Sequence, residues 1–264
     1  MMFFRRRRLP ALILLLGSII GGIPLLVPSE VSAETKFAPL SVLSINVERG
    51  GADVSSLSAV IKNQEVDIAI LIEADEYLIK SLLSPDIKKM LPYRSGTVSS
   101  GGTAGTAMLS KYPLQQEDEI SVPAGVTSFD QPVATVDHPQ LGSIRIAGVH
   151  PYPPISGAIE WKKSLESINS WQSENTDLPL VMAGDFNASY AHPEFREIAS
   201  SFTDTAASAG ILPISTWPAS GPIPAFTAID HVLVRDLSTT SWERVKIPNT
   251  DHFGIIAKVT SRTD

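Results

Sequence analysis

The chain has 264 residues, 43% of them hydrophobic, which is enough apolar material for one sizeable core. It has no cysteine, and this excludes both a disulfide framework and a lipid-modified cysteine anchor. Residues 1 to 33 contain four arginines and one glutamate, so the remainder carries 17 basic against 27 acidic side chains, a net of −10 that disfavours tight binding to duplex DNA.

The N-terminus reads as a targeting segment. Arginines at positions 5 to 8 precede an almost uncharged apolar stretch from 9 to 27, followed by Val31-Ser32-Ala33, the small residues a signal peptidase reads. Those nineteen apolar positions also approach the roughly 20 that cross a bilayer, so a retained membrane anchor is the alternative. Pro10, Pro24, Gly17, Gly21 and Gly22 weaken a continuous spanning helix. Under either reading the arginines stay on the cytoplasmic side, and residues 34 to 264 form one catalytic domain outside the cytoplasm, secreted or tethered.

Beyond that segment, LSVLSINV (40 to 47) has the composition of a strand, 54 to 62 the spacing of a short amphipathic helix, and VDIAILIE (66 to 73) that of a second strand. Residues 78 to 90 read as helix broken at Pro85. The glycine-rich segment 96 to 105 is expected as a surface loop leading into strand TAMLS (106 to 110) and a turn at Lys111-Tyr112-Pro113. Alternation over 133 to 136 and SIRIAGVH (143 to 150) predicts neighbouring antiparallel strands. A helix follows over 158 to 171, with Ile159, Leu165, Ile168 and Trp171 mostly on one face. LPLVMAGDF (178 to 186) is a strand, 193 to 199 a helix with proline in its first turn, and 210 to 225 irregular. The chain closes on strands AIDHVLV (228 to 234) and GIIAKV (254 to 259). Hairpin-like strands mixed with covering helices predict two packed sheets flanked by helices.

Polar groups recur at or beside the ends of these apolar runs: Asn46, Glu73, His150, Asp185 with Asn187, Asp230 with His231, and Asp251 with His252. Hydrolysis of a phosphate ester needs a metal for the phosphoryl oxygens, an activated water and donors for developing charge. Glu73, closing an apolar strand, suits a hard ion such as magnesium, with manganese as a substitute. Asp185 and Asn187 are two apart on a segment read as extended, which would point both to one side. His252 with Asp230 makes an imidazole–carboxylate pair that holds one tautomer and gains basicity. His231 alternates away from Asp230 and is read as a structural or supporting group. Arg49 reads as an exposed loop charge.

The ordered set SINVERG, ILIE, TAMLSKYPL, GVHPYPP, MAGDFN, IDHVLV and TDH resembles the endonuclease/exonuclease/phosphatase family over positions 40 to 259. VERGGAD, VHPYPP, AHPEFREI and TWPAS look most like its compact bacterial envelope members, among them the teicoplanin-resistance type. The resemblance implies a four-layer α/β/β/α sandwich with two mostly antiparallel sheets and a metal-dependent phosphoester hydrolase. It implies that Asn46 holds the metal or orients Glu73, that Asp251 meets the metal directly or through water, and that Asp185 positions or deprotonates the attacking water. It further implies that Asn187 donates to a phosphate oxygen and that His150 contacts the scissile phosphate. Many relatives carry a basic residue where this chain has Ala228 or Phe253, which removes one source of phosphate affinity. Tyr93, Arg94, Trp161, His192, Arg196 and Trp217 share the envelope members' look, and the aromatic ones read as core packing. The expected substrates are a phosphorylated small molecule, a phospholipid or a lipid-linked pyrophosphate. A secreted nuclease and a non-catalytic envelope binding domain are the alternatives.

Overall fold

A computed structural model describes residues 38–95, 98, 102–208 and 214–262. The targeting segment, most of the 96 to 101 stretch and residues 209–213 of the irregular stretch lie outside the described residues.

Two six-stranded sheets pack face to face. The first contains β1 (Leu40–Asn46), β2 (Ile68–Ile72), β3 (Tyr93–Arg94), β4 (Thr106–Ser110), β11 (Leu237–Lys246) and β12 (Phe253–Ser261), in the order β11-β12-β1-β2-β4-β3. The second contains β5 (Gln115–Gln116), β6 (Val133–His138), β7 (Gly142–Val149), β8 (Leu180–Asp185), β9 (Thr203–Asp204) and β10 (Asp230–Arg235), in the order β5-β6-β7-β8-β10-β9. One ladder in each sheet is parallel, β1 with β2 and β7 with β8, and the others are antiparallel. Helices α1 (Val54–Asn63), α2 (Glu76–Leu82) and α3 (Pro85–Met90) cover the first sheet; α4 (Ala158–Glu174) and α5 (Pro193–Ala199) cover the second, and a single turn, α6 (Thr205–Ser208), follows β9.

The central strands are buried on both faces, which is why they read as near-continuous apolar runs. On β1, Leu40 and Val42 enter the layer between the sheets while Leu43 and Ile45 face α1 and α2. By the same alternation Asn46 faces the layer between the sheets, at the end of the strand.

Two expectations change. Residues 237 to 246 form β11, an edge strand whose polar sequence LSTTSWERVK reflects one solvated face and conceals the pairing with β12. On α4, Ile159 is 69% exposed and Trp161 takes its place beside Leu165 and Ile168 on the buried face.

Strand direction gathers the polar groups. β1, β2, β7 and β8 run the same way, so Asn46, Glu73, His150 and Asp185 all emerge at one end of the sandwich. The antiparallel strands β10 and β12 begin at that end, so Asp230 and the segment carrying Asp251 and His252 arrive there as they enter the sheets.

Candidate active site

Asn46 is the bridge between the sheets. Its Nδ2 donates to Glu73 Oε1 and to Asp185 Oδ2, both at 3.1 Å, while its Oδ1 accepts the Glu48 N–H at 2.9 Å. Of its two implied roles, this geometry serves the orientation of Glu73. Glu73 sits at φ 56°, a left-handed turn just past β2, and its Oε2 accepts the Arg49 N–H at 3.1 Å. Arg49 therefore contributes its backbone, while its side chain is exposed.

Asp185 Oδ2 is the convergence point. His252 Nε2 lies 3.7 Å and His150 Nε2 4.0 Å from it, besides the Asn46 amide. His252 Nδ1 donates to Asp230 Oδ2 at 2.9 Å, and this fixes the ring so that Nε2 faces the cleft. Asp251 Oδ1 is 3.8 Å from the same Nε2, and its Oδ2 accepts the Trp217 indole N–H at 2.9 Å. His150 is buried with its ring centroid 4.7 Å from Phe129, and its Nδ1 has no hydrogen-bond partner among the described residues.

Asn187 departs from expectation. It is not extended but left-handed, at φ 47°, and its backbone N–H donates to Asp185 Oδ1 at 2.8 Å. Its side-chain amide donates to the Pro151 carbonyl at 3.1 Å and so ties the β8 turn to the segment after His150. His231 packs beneath the site, with Nδ1 at 2.9 Å from Asp204 Oδ2 and its ring against Phe195 at 4.3 Å, and takes the supporting position. Tyr93 and Arg94 lie on β3, where Arg94 pairs with Glu76, while His192 and Arg196 belong to α5 and its approach.

Several supporting groups escape sequence reasoning. Thr250 Oγ1 donates to the Asn46 carbonyl at 2.7 Å and accepts the His252 N–H at 3.2 Å, which joins two catalytic segments. Thr216 Oγ1 accepts the N–H groups of Ile229 and Asp230, each at 3.1 Å. Gln131 Oε1 accepts the His150 N–H at 3.3 Å. Trp217, read as packing, holds Asp251, and Trp161 donates to the Asn187 carbonyl at 3.1 Å. Thr250 and Trp217 stood inside quoted motifs, but neither motif reveals a partner in another segment.

Burial raises the carboxyl groups of both Glu73 and Asp185 above the usual range, with repulsion from Asp185 adding to the rise at Glu73 and repulsion from Asp230 adding to the rise at Asp185. Burial alone would press His252 toward neutrality, yet Asp230 and Asp185 outweigh it and hold this imidazole up at about 10. His150 is driven down to about 4 by burial, assisted by the charge of His252. Among the described residues, the basic groups that face Glu73 and Asp185 are imidazoles, of which His252 is the charged one. The carboxylates of Asp185 and Asp230 each bring an oxygen within 4.8 Å of one another, beside the His252 ring, and Glu73 adds oxygen donors through the Asn46 bridge. Such a hard, negatively charged set fits a divalent cation.

A four-layer sandwich with acid, amide and imidazole groups at one end of its sheets defines a phosphoester-hydrolase scaffold. The chain belongs to the endonuclease/exonuclease/phosphatase family, whose model matches residues 43–252. Members of this family are metal-dependent hydrolases of phosphoester bonds. Its structure is similar to that of Danio rerio TDP2 complexed with single strand DNA product, at 15% identity and a TM-score of 0.68 over 85% of this chain and 100% of that one. An endonuclease/exonuclease/phosphatase from Bacteroides vulgatus gives 16% identity and 0.64, over 86% and 100% of the two chains. Beta toxin from Staphylococcus aureus, with bound magnesium ions, gives 18% and 0.59 over 83% and 99%. No curated protein matches the chain by sequence.

Proposed function

We propose that this protein is an extracytoplasmic, magnesium-dependent phosphohydrolase that cleaves a phosphate ester or pyrophosphate by direct attack of water. The single observation that carries the reading is the Asn46 amide spanning Glu73 and Asp185 beside the His252–Asp230 pair. A divalent ion held by Glu73 and the neighbouring acids, Asp251 among them, would neutralise phosphoryl oxygens and assemble the attacking water. Manganese would serve in its place.

Asp185 takes the water proton: burial raises its basicity, and its Oδ2 faces the cleft. His252, held as imidazolium by Asp230, meets the developing phosphoryl charge as a donor. His150 remains neutral at pH 7, so its Nε2 donates a hydrogen bond to the phosphate without giving up a proton. Asn187 fixes Asp185 through its backbone, and its side-chain amide retains a second hydrogen for a phosphate oxygen.

The deciding measurement is phosphate release from lipid pyrophosphates, phospholipids and oligonucleotides, with magnesium and with chelator. Activity that survives the chelator would refute the metal requirement, and turnover confined to oligonucleotides would favour the secreted nuclease. Asp185→Ala and His252→Ala are each expected to lower kcat by roughly 10² to 10⁴ while the folded signal persists. Undiminished turnover in either variant would reject the role given to that residue.

A further inference from the structure

The large exposed hydrophobic side chains are not scattered. Six of the seven among the described residues, Tyr77, Ile155, Ile159, Tyr190, Ile223 and Phe226, lie on segments that follow or lead into catalytic positions at one end of the sandwich. Only Tyr93, paired in register with Ser110, belongs to the far end. Isolated exposed apolar residues need no explanation, but a group of them on the segments at one end of the sandwich does.

Charge gives an independent observation. Residues 120–129, 151–159 and 214–229 contain no Asp, Glu, Lys or Arg, although 19% of the chain is charged. These three stretches border the cleft: Phe129 lies against His150, Tyr152 against Phe129 at 5.3 Å, and the third leads through Trp217 to Asp230. A nucleic-acid backbone would call for basic side chains there. A lipid headgroup layer calls for apolar tips and uncharged backbone turns, because burying a charge in it is unfavourable.

We infer that the uncharged, apolar part of the cleft rim formed by these three stretches docks onto a lipid bilayer and presents the site to a phosphoester in its headgroup layer. This rests on the phosphohydrolase reading for its substrate class but not for its binding surface. Ile155, 96% exposed in the segment after His150, and Ile223, 60% exposed between Pro222 and Pro224 in the segment leading to Asp230, are the insertion points. The acidic remainder of the domain would keep the rest of the surface off anionic lipid.

The test is co-sedimentation of the full chain with phosphatidylcholine–phosphatidylglycerol vesicles, run beside turnover of vesicle phospholipid and of soluble bis(4-nitrophenyl) phosphate. Wild type is expected to bind, and Ile155→Asp/Ile159→Asp/Ile223→Asp to bind at least tenfold more weakly. The triple variant should lose phospholipid turnover by a similar factor and keep its kcat/KM on the soluble diester. Ile155→Asp alone should shift binding in the same direction if the triple variant does not fold. Equal vesicle binding by wild type and variant, an oligonucleotide held on this rim, or a dimer that the substitutions dissociate would overturn the inference. No turnover of either substrate by wild type, with vesicle binding intact, would instead sink the phosphohydrolase reading.

Discussion

Trp217 shows how a carboxylate of the candidate site is held by a residue that sequence assigns to packing. Its indole N–H is the hydrogen bond to Asp251 Oδ2 at 2.9 Å, and Thr250 next to Asp251 ties the same turn to Asn46. Trp217→Phe keeps the ring and removes only the donor, so it should weaken magnesium affinity by roughly 10- to 100-fold with little effect on stability. A magnesium titration of activity checks this, and unchanged half-saturation would remove Trp217 from the site's support. The titrating groups set a second expectation. His252 has a folded-state value of about 10 against an ordinary 6.5, so its contribution to stability is present below pH 6.5 and lost as pH rises toward 10. The raised Glu73 and Asp185 act in the same sense, while His150, lowered to about 4, acts oppositely between 6.5 and 4 and leaves the acid side shallow. The metal-free protein should therefore lose stability above pH 6.5, at a limiting slope of about 1.4 kcal/mol per pH unit, and magnesium should flatten that loss. Urea midpoints at pH 6.5 and 8.5, with chelator and with magnesium, would contradict this if stability rose with pH.

At the scale of elements, each site residue is placed by the strand it ends. Gly184 allows the closest approach, since a Cβ there would lie 1.9 Å from the Val149 carbonyl on the parallel neighbour β7. Gly184→Ala should therefore separate β7 from β8, lower stability by roughly 3 kcal/mol and move Asp185 relative to His150. A variant as stable and active as wild type would show that the ladder yields at no cost. Strands with both faces buried, such as β1, β2, β8 and β10, are plain in the sequence because apolar residues dominate both of their faces beside the site group at one end. β11 is hidden because an edge strand with a solvated face keeps polar residues, and β3, β5 and β9 are two-residue pairings that exist only against a neighbour. The turn after Asp185 is hidden for another reason. The left-handed conformation of Asn187 is stabilised by Asp185, Pro151 and Trp161, none of which announces it locally.

Across the whole molecule, the chain enters β1 at Leu40 and reaches the site at Asn46, so the N-terminal entry lies a seven-residue strand away from the catalytic end. That distance, six steps along the strand, is roughly 20 Å at the usual rise per residue. A domain released from residues 1 to 33 can turn its rim to a lipid surface. With the extracytoplasmic location proposed above, the mature protein is expected to begin at Glu34, and N-terminal sequencing that returned an intact membrane-bound terminus would overturn that expectation.

The amino-acid order already determined the two-sheet class and nominated the acids, amides and imidazoles, because double-sided burial demands apolar runs and leaves polar residues only where a strand ends. It could not determine their meeting, since Asn46 reaches Asp185 across 139 positions and Thr250 reaches Asn46 across 204. Only the tertiary structure brought these groups to one end of the sandwich and excluded water around them. Their shifted proton affinities, and the division of labour among Asp185, His150 and His252, are products of that burial and of mutual distance, quantities that no local stretch of sequence contains.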